Sequence, residues 1–141
     1  MEQRLPLVSK AQAQRLKATG FDWGVTAYYE VTGKYGMSLE HVYQKPTDFN
    51  NSDYGKTKMF SAPTVAEALK WARDVRFLDG HVEVNGAREY GWNYVLSYFE
   101  RPRTYGSYKS HEEAESFLLD AVLDQIEKEE GVRDESAAVP G

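Results

Sequence analysis

Four tyrosines in this chain stand directly before a glycine, at Tyr35, Tyr54, Tyr90 and Tyr105, and two of them sit among clustered cations. The stretch 45–58 carries Lys45, Tyr54, Lys56 and Lys58; the stretch 101–109 carries Arg101, Arg103, Tyr105, Tyr108 and Lys109. Guanidinium forks grip phosphate oxygens in pairs, and tyrosine rings stack on bases. Both stretches run towards segments that read as helix starts, where free N–H groups and the helix dipole favour an anion. Together Tyr54, Lys56, Lys58, Arg101, Arg103, Tyr105, Tyr108 and Lys109 suit a nucleotide-like ligand, with single-stranded nucleic acid a weaker candidate. Asp48 and Asp53 dilute the positive field of the first stretch. The plain alternative is a pair of solvated loops in which tyrosine packs over a turn glycine.

Catalytic templates find no match. The chain has no cysteine, which excludes disulfides, thiolate zinc sites and thiol nucleophiles. It contains no Gly-x-Ser-x-Gly elbow, no phosphate-binding glycine loop and no His-Glu-x-x-His. His41, His81 and His111 are far apart in sequence and lack metal-ligand spacing. Carboxylates are many, but no pair has a setting that would separate their pKa values. The expectation is a binding protein rather than an enzyme, without metal or cofactor. Asn50-Asn51-Ser52 spells a glycosylation sequon and nothing more in a chain expected to stay in the cytoplasm.

Three Ser/Thr residues precede Glu or Gln by three positions at the head of an apolar-periodic run: Ser9…Gln12, Thr64…Glu67 and Ser110…Glu113. Each is a capping box, in which hydroxyl and carboxylate or amide satisfy two orphan N–H groups reciprocally. Helix one then spans 11–19, with Gly20 as a left-handed stop and Phe21 folding back on Leu16. Helix two spans 65–77, with Val65, Ala68, Leu69, Trp71, Ala72 and Val75 inward. Helix three turns Ala114, Phe117, Leu118, Ala121, Val122 and Ile126 inward and ends near Gly131.

Between the helices the apolar period becomes two, over 23–31, 37–43, 81–85 and 92–100. The last segment is apolar on both faces, as a central strand requires. Short glycine-containing links, 32–36 and 86–91, join the strands in pairs. The expected fold is α+β in the order α-ββα-ββα, a four-stranded antiparallel sheet with its helices packed on one face. It forms a single domain over 1–131, with ββα units at about 23–78 and 81–130 and a disordered tail at 132–141. Such a sheet leaves one face open, and Tyr28, Val95 and Phe99 on it would invite a homo-oligomer.

The 141 residues carry a net charge of −5, distributed unevenly. Residues 1–111 hold 15 Lys/Arg against 12 Asp/Glu, whereas 112–141 hold 2 against 10. The acid therefore belongs to the third helix and tail: a solvated face, or a docking surface for a protein partner. No apolar run approaches a membrane span, and the first ten residues lack the core of a signal peptide.

Phe60-Ser61-Ala62-Pro63-Thr64, followed by Leu69-Lys70-Trp71-Ala72-Arg73, resembles a pattern in uncharacterised small α+β proteins of Bacteroidota and their phages. His81 to Val84, the aromatic segment from Trp92 to Tyr98, and Tyr108 ahead of Glu112-Glu113-Ala114 extend the likeness over some 120 residues. Tyr108 stands one residue further from the glutamates than in that pattern. The shared motifs are structural, two caps and a core tryptophan, so no site residue is carried over. What the resemblance implies is context: a phage or mobile-element product inside a bacterial cell. Two functions follow as expectations. One is a non-enzymatic protein that sequesters a nucleotide-like anion; the other is an interaction module that docks through its acidic third helix or open sheet face.

Overall fold

The computed structural model describes residues 5–31, 36–42, 45–51, 59–84, 90–98 and 101–138, with side chains omitted at 98, 101 and 131–138. The elements are α1 (Lys10–Ala18), β1 (Ala27–Val31), β2 (Met37–His41), β3 (Met59–Ser61), α2 (Val65–Arg76), β4 (Asp79–Val84), β5 (Trp92–Tyr98), β6 (Arg101–Tyr108) and α3 (His111–Ala138). They fall into two compact units, Met1–Trp71 and Ala72–Gly141, with the boundary inside α2.

The α+β class holds, but the single four-stranded sheet does not. Each unit has its own three-stranded antiparallel sheet, ordered β2-β1-β3 in the first and β4-β5-β6 in the second. The two additional strands are β3 and β6. Three residues are too few for β3 to show an alternating pattern. The β6 sequence, Arg-Pro-Arg-Thr-Tyr-Gly-Ser-Tyr, has the composition of a turn. An edge strand tolerates it, because one side needs no partner and little of it is buried. The open-face patch is lost with the single sheet. Tyr28 and Val95 belong to different sheets, Tyr28 lies against Phe49 at 4.5 Å with the rings tilted by 36°, and Val95 is only 6% exposed. Phe99 lies outside the described residues.

In the first unit the Ser9 box closes both ways, Gln12 N–H to Ser9 Oγ at 3.1 Å and Ser9 N–H to Gln12 Oε1 at 2.9 Å. At the other end of α1, Gly20 takes φ +96°, the Phe21 N–H donates to Leu16 O and the Gly20 N–H to Lys17 O. That is the full Schellman closure, with Leu16 and Phe21 both buried. Trp71 on α2 meets the edge of Phe21 at 5.4 Å. The Tyr29 hydroxyl, on the central strand β1, donates to Val8 O at 2.7 Å. Asn50, the residue of the sequon spelling, is buried. Its Nδ2 donates to Phe21 O at 3.0 Å and its Oδ1 accepts from Ser61 N–H at 2.8 Å, so it ties the helix exit to β3.

In the second unit α3 lies against β4, β5 and β6. Close approach is set at Gly80, where a Cβ would stand 2.6 Å from a Leu118 methyl carbon. Ala114, Leu118, Leu119, Val122, Leu123 and Ile126 are buried, whereas Phe117, expected inward, is 45% exposed. The helix passes Gly131, its expected end, and reaches Ala138. A glycine inside a helix costs only about 1 kcal/mol, so it need not stop one. Arg76 near the end of α2 bridges to Glu130 at 3.0 Å.

Candidate functional site

Strand β6 lies at the sheet edge beside β5, pairing Arg103 with Leu96, Thr104 with Val95 and Tyr105 with Tyr94. The register then shifts: Asn93 faces Gly106 and Trp92 faces Tyr108, leaving Ser107 as an extra residue. Tyr105 and Tyr108 are three apart, so a regular strand would send them to opposite faces. The bulge returns Tyr108 to the face of Tyr105. A Cβ at Gly106 would run into the Asn93 side chain, which would have to move to admit one.

The consequence is a ladder of rings. Tyr94 stacks on Tyr105 at 5.0 Å and 20° and on Tyr108 at 6.0 Å and 21°. Tyr108 stacks in turn on Phe117 of α3 at 4.8 Å and 16°. The inner ring, Tyr94, is buried; the outer rings, Tyr105 and Phe117, are 40% and 45% exposed. Offset stacks of this kind add about 0.5–1.5 kcal/mol per pair beyond burial. Burial is the largest cause that raises the Tyr94 pKa, followed by the phenols of Tyr108 and Tyr105 and the carboxylates of Asp124 and Asp120. Tyr94 is therefore a neutral phenol at ordinary pH. Beside the ladder, the Lys109 ammonium sits 5.4 Å above the Tyr90 ring, and Trp92 meets His111 edge-on at 5.5 Å.

The structure divides the predicted site. Tyr105 and Tyr108 come together through Tyr94, and Lys109 stands next to them in the turn before α3. Arg101 opens β6 opposite Tyr98, so its backbone is seven residues, roughly 23 Å, from that of Tyr108. Arg103 is exposed along the strand. The stretch 101–109 is thus mostly a strand and not a loop that delivers arginines to a helix N-terminus. Nor is that terminus open: Ser110 Oγ accepts the Glu113 N–H at 3.1 Å, and Glu113 Oε2 accepts the Lys109 N–H at 3.4 Å. Glu112 and Glu113 also place negative charge in the first turn. At α2, Thr64 and Glu67 close a complete box at 3.0 and 3.1 Å. Tyr54, Lys56 and Lys58 lie outside the described residues.

Tyr94, Phe117, Tyr90 and His111 belong to the ring cluster and its surroundings but not to the expected site. Tyr94 and Phe117 read as core residues, and only the bulge and the helix approach bring them to the tyrosines of β6. Among the described residues, no three His, Asp or Glu side chains gather to hold a metal ion. His81 contacts Glu83 at 3.4 Å within β4. No described helix is long and apolar enough to cross a membrane. No family model, curated protein or solved structure matches the chain.

Proposed function

We propose that this chain is a binding protein that docks a protein partner on the ring ladder and strand β6 of its second unit. The observation that carries the reading is the ladder itself. It is anchored at a buried Tyr94 and presents Tyr105 and Phe117 half-open at its two ends. Rigid aromatic side chains, held in place before contact, lose little freedom on binding and dominate the energetics of protein interfaces. The acidic helix is the weaker candidate surface, since Glu113 is taken up at its own N-terminus and Glu130 by Arg76.

A nucleotide-like anion is the second reading, favoured by the open Tyr105 ring beside Arg103 and Lys109. Against it stand the filled N-terminus of α3 and the separation of Arg101 from Lys109. The phage or mobile-element context belongs to the same proposal and rests on the sequence resemblance. Native mass spectrometry of the protein purified from its own cells separates the readings. The expected result is a mass increment of a second protein that Tyr105→Ala removes. A retained increment of a few hundred daltons, lost in Arg103→Ala, would favour the anion instead.

A further inference from the structure

The docking reading leaves the partner's chemistry open, and the edge of the second sheet supplies it. Strand β6 is eight residues long, lies at the end of the order β4-β5-β6, and is exposed at every position from Pro102 to Ser107. Edges of this length are templates for another strand unless something blunts them. Here the blunting devices sit at the ends, Pro102 at one and the bulge at Ser107 at the other. The stretch between them, Arg103 to Gly106, is regular.

Charge decides what can pair there. From Arg101 to Lys109 the chain carries three cations and no carboxylate. Two copies of β6 side by side would set like charges against each other, which opposes self-association. The other edge, β4, bears Asp79 and Glu83, so the two edges differ in sign and a charged strand would choose between them. Asp120 and Asp124 of α3 add negative charge on the helix side of Tyr94, which favours the basic edge over the helix for an acidic segment. Tyr105 is half-open at that edge and offers its ring to a cross-strand neighbour.

We infer that β6 accepts an extended acidic segment of another protein as a fourth strand of the second sheet. Backbone pairing runs over Arg103 to Gly106, a carboxylate of the segment faces Arg103, and an apolar side chain of the segment covers Tyr105. This deepens the docking proposal and depends on it.

The test uses the full chain, labelled with ¹⁵N, and three synthetic ten-residue peptides. One repeats Glu-Thr-Val-Thr, so that Glu and Val alternate along a single face of the strand, one replaces each Glu by Lys, and one keeps Glu but has two central prolines that forbid a strand. The expected result is that the first peptide alone slows exchange at those amides of Arg103 to Gly106 that point away from β5, every second residue. Arg103→Glu should weaken that peptide roughly tenfold, the scale of one opposed charge pair. An equal response to the Glu and Lys peptides overturns the inference, as does no response to any of them. Ring shifts at Tyr105 and Phe117 without slowed exchange within 103–106 also overturn strand addition. That last outcome leaves docking on the ladder intact, so the two claims fail separately.

Discussion

Burial, the phenols of Tyr108 and Tyr105, and the carboxylates of Asp124 and Asp120 all act on Tyr94 in one direction, pushing its pKa up to about 12. In the unfolded chain the same phenol titrates near 10. Below pH 10 both states keep the proton, and the contribution of Tyr94 to stability is fully present. Between pH 10 and 12 only the unfolded chain releases it, so that contribution is lost as pH rises. The displacement corresponds to about 2–3 kcal/mol for this buried side chain. Tyr94→Phe keeps the stacked ring and removes the titration. Denaturant unfolding at pH 9 and pH 12 should therefore show the difference between variant and wild type move in the variant's favour by about that amount. A difference that does not change with pH would contradict it. Tyr105 and Tyr108 stood out by residue type and neighbouring cations. Their stacking partners were not, because one unpaired residue at Ser107 decides which face Tyr108 joins, and no periodicity announces a bulge.

At the scale of elements, local signals were the readable ones. The Ser9 and Thr64 boxes and the Gly20 stop are closed by groups within a few residues of each other, so spacing alone shows them; at Ser110 the hydroxyl caps as expected, but Glu113 takes the Lys109 N–H and not that of the cap. The central place of β5 was legible too, since Tyr94 and Val95 point to opposite faces and both are buried. The edges β3 and β6 were not, because an edge strand need satisfy neither alternation nor apolar composition. Helix α2 ends in a way sequence did not suggest: Phe77 takes φ +59° and is 85% exposed. Leu78 behind it is buried and donates its N–H to Ala72 O at 3.1 Å, which fixes the turn. A phenylalanine in left-handed backbone is strained and gains nothing from burial here, whereas glycine adopts that conformation freely. Relief of about 1–2 kcal/mol of left-handed strain outweighs the roughly 0.5–1 kcal/mol that glycine costs in chain entropy, so Phe77→Gly is expected to raise stability by up to about 1 kcal/mol, read from the denaturant midpoint. A loss would show that the ring packs in a way its exposure does not suggest.

Over the whole chain, the repeat survives in element order and not in topology. Each unit runs three strands into a helix, but the middle strand is the first of its three in one unit, β1, and the second in the other, β5. The approaches to α2 and α3 share local chemistry, a strand ending at a Ser/Thr cap. The charge asymmetry has a clearer consequence: the acid of residues 112–141 lies in α3, while β6 of the same unit is basic. A partner recognised by charge must distinguish them, and its binding should weaken with salt. The central claim, docking at β6, is tested most directly by site-specific photo-crosslinking in the cells that make the protein. A photoreactive benzoyl-phenylalanine replaces Tyr105 on one edge of the second sheet or, separately, Val84 on the other. One discrete heterologous adduct from position 105, absent from position 84 and diminished by Arg103→Glu, is the predicted result. The same adducts from both positions, or none from position 105, would contradict the account.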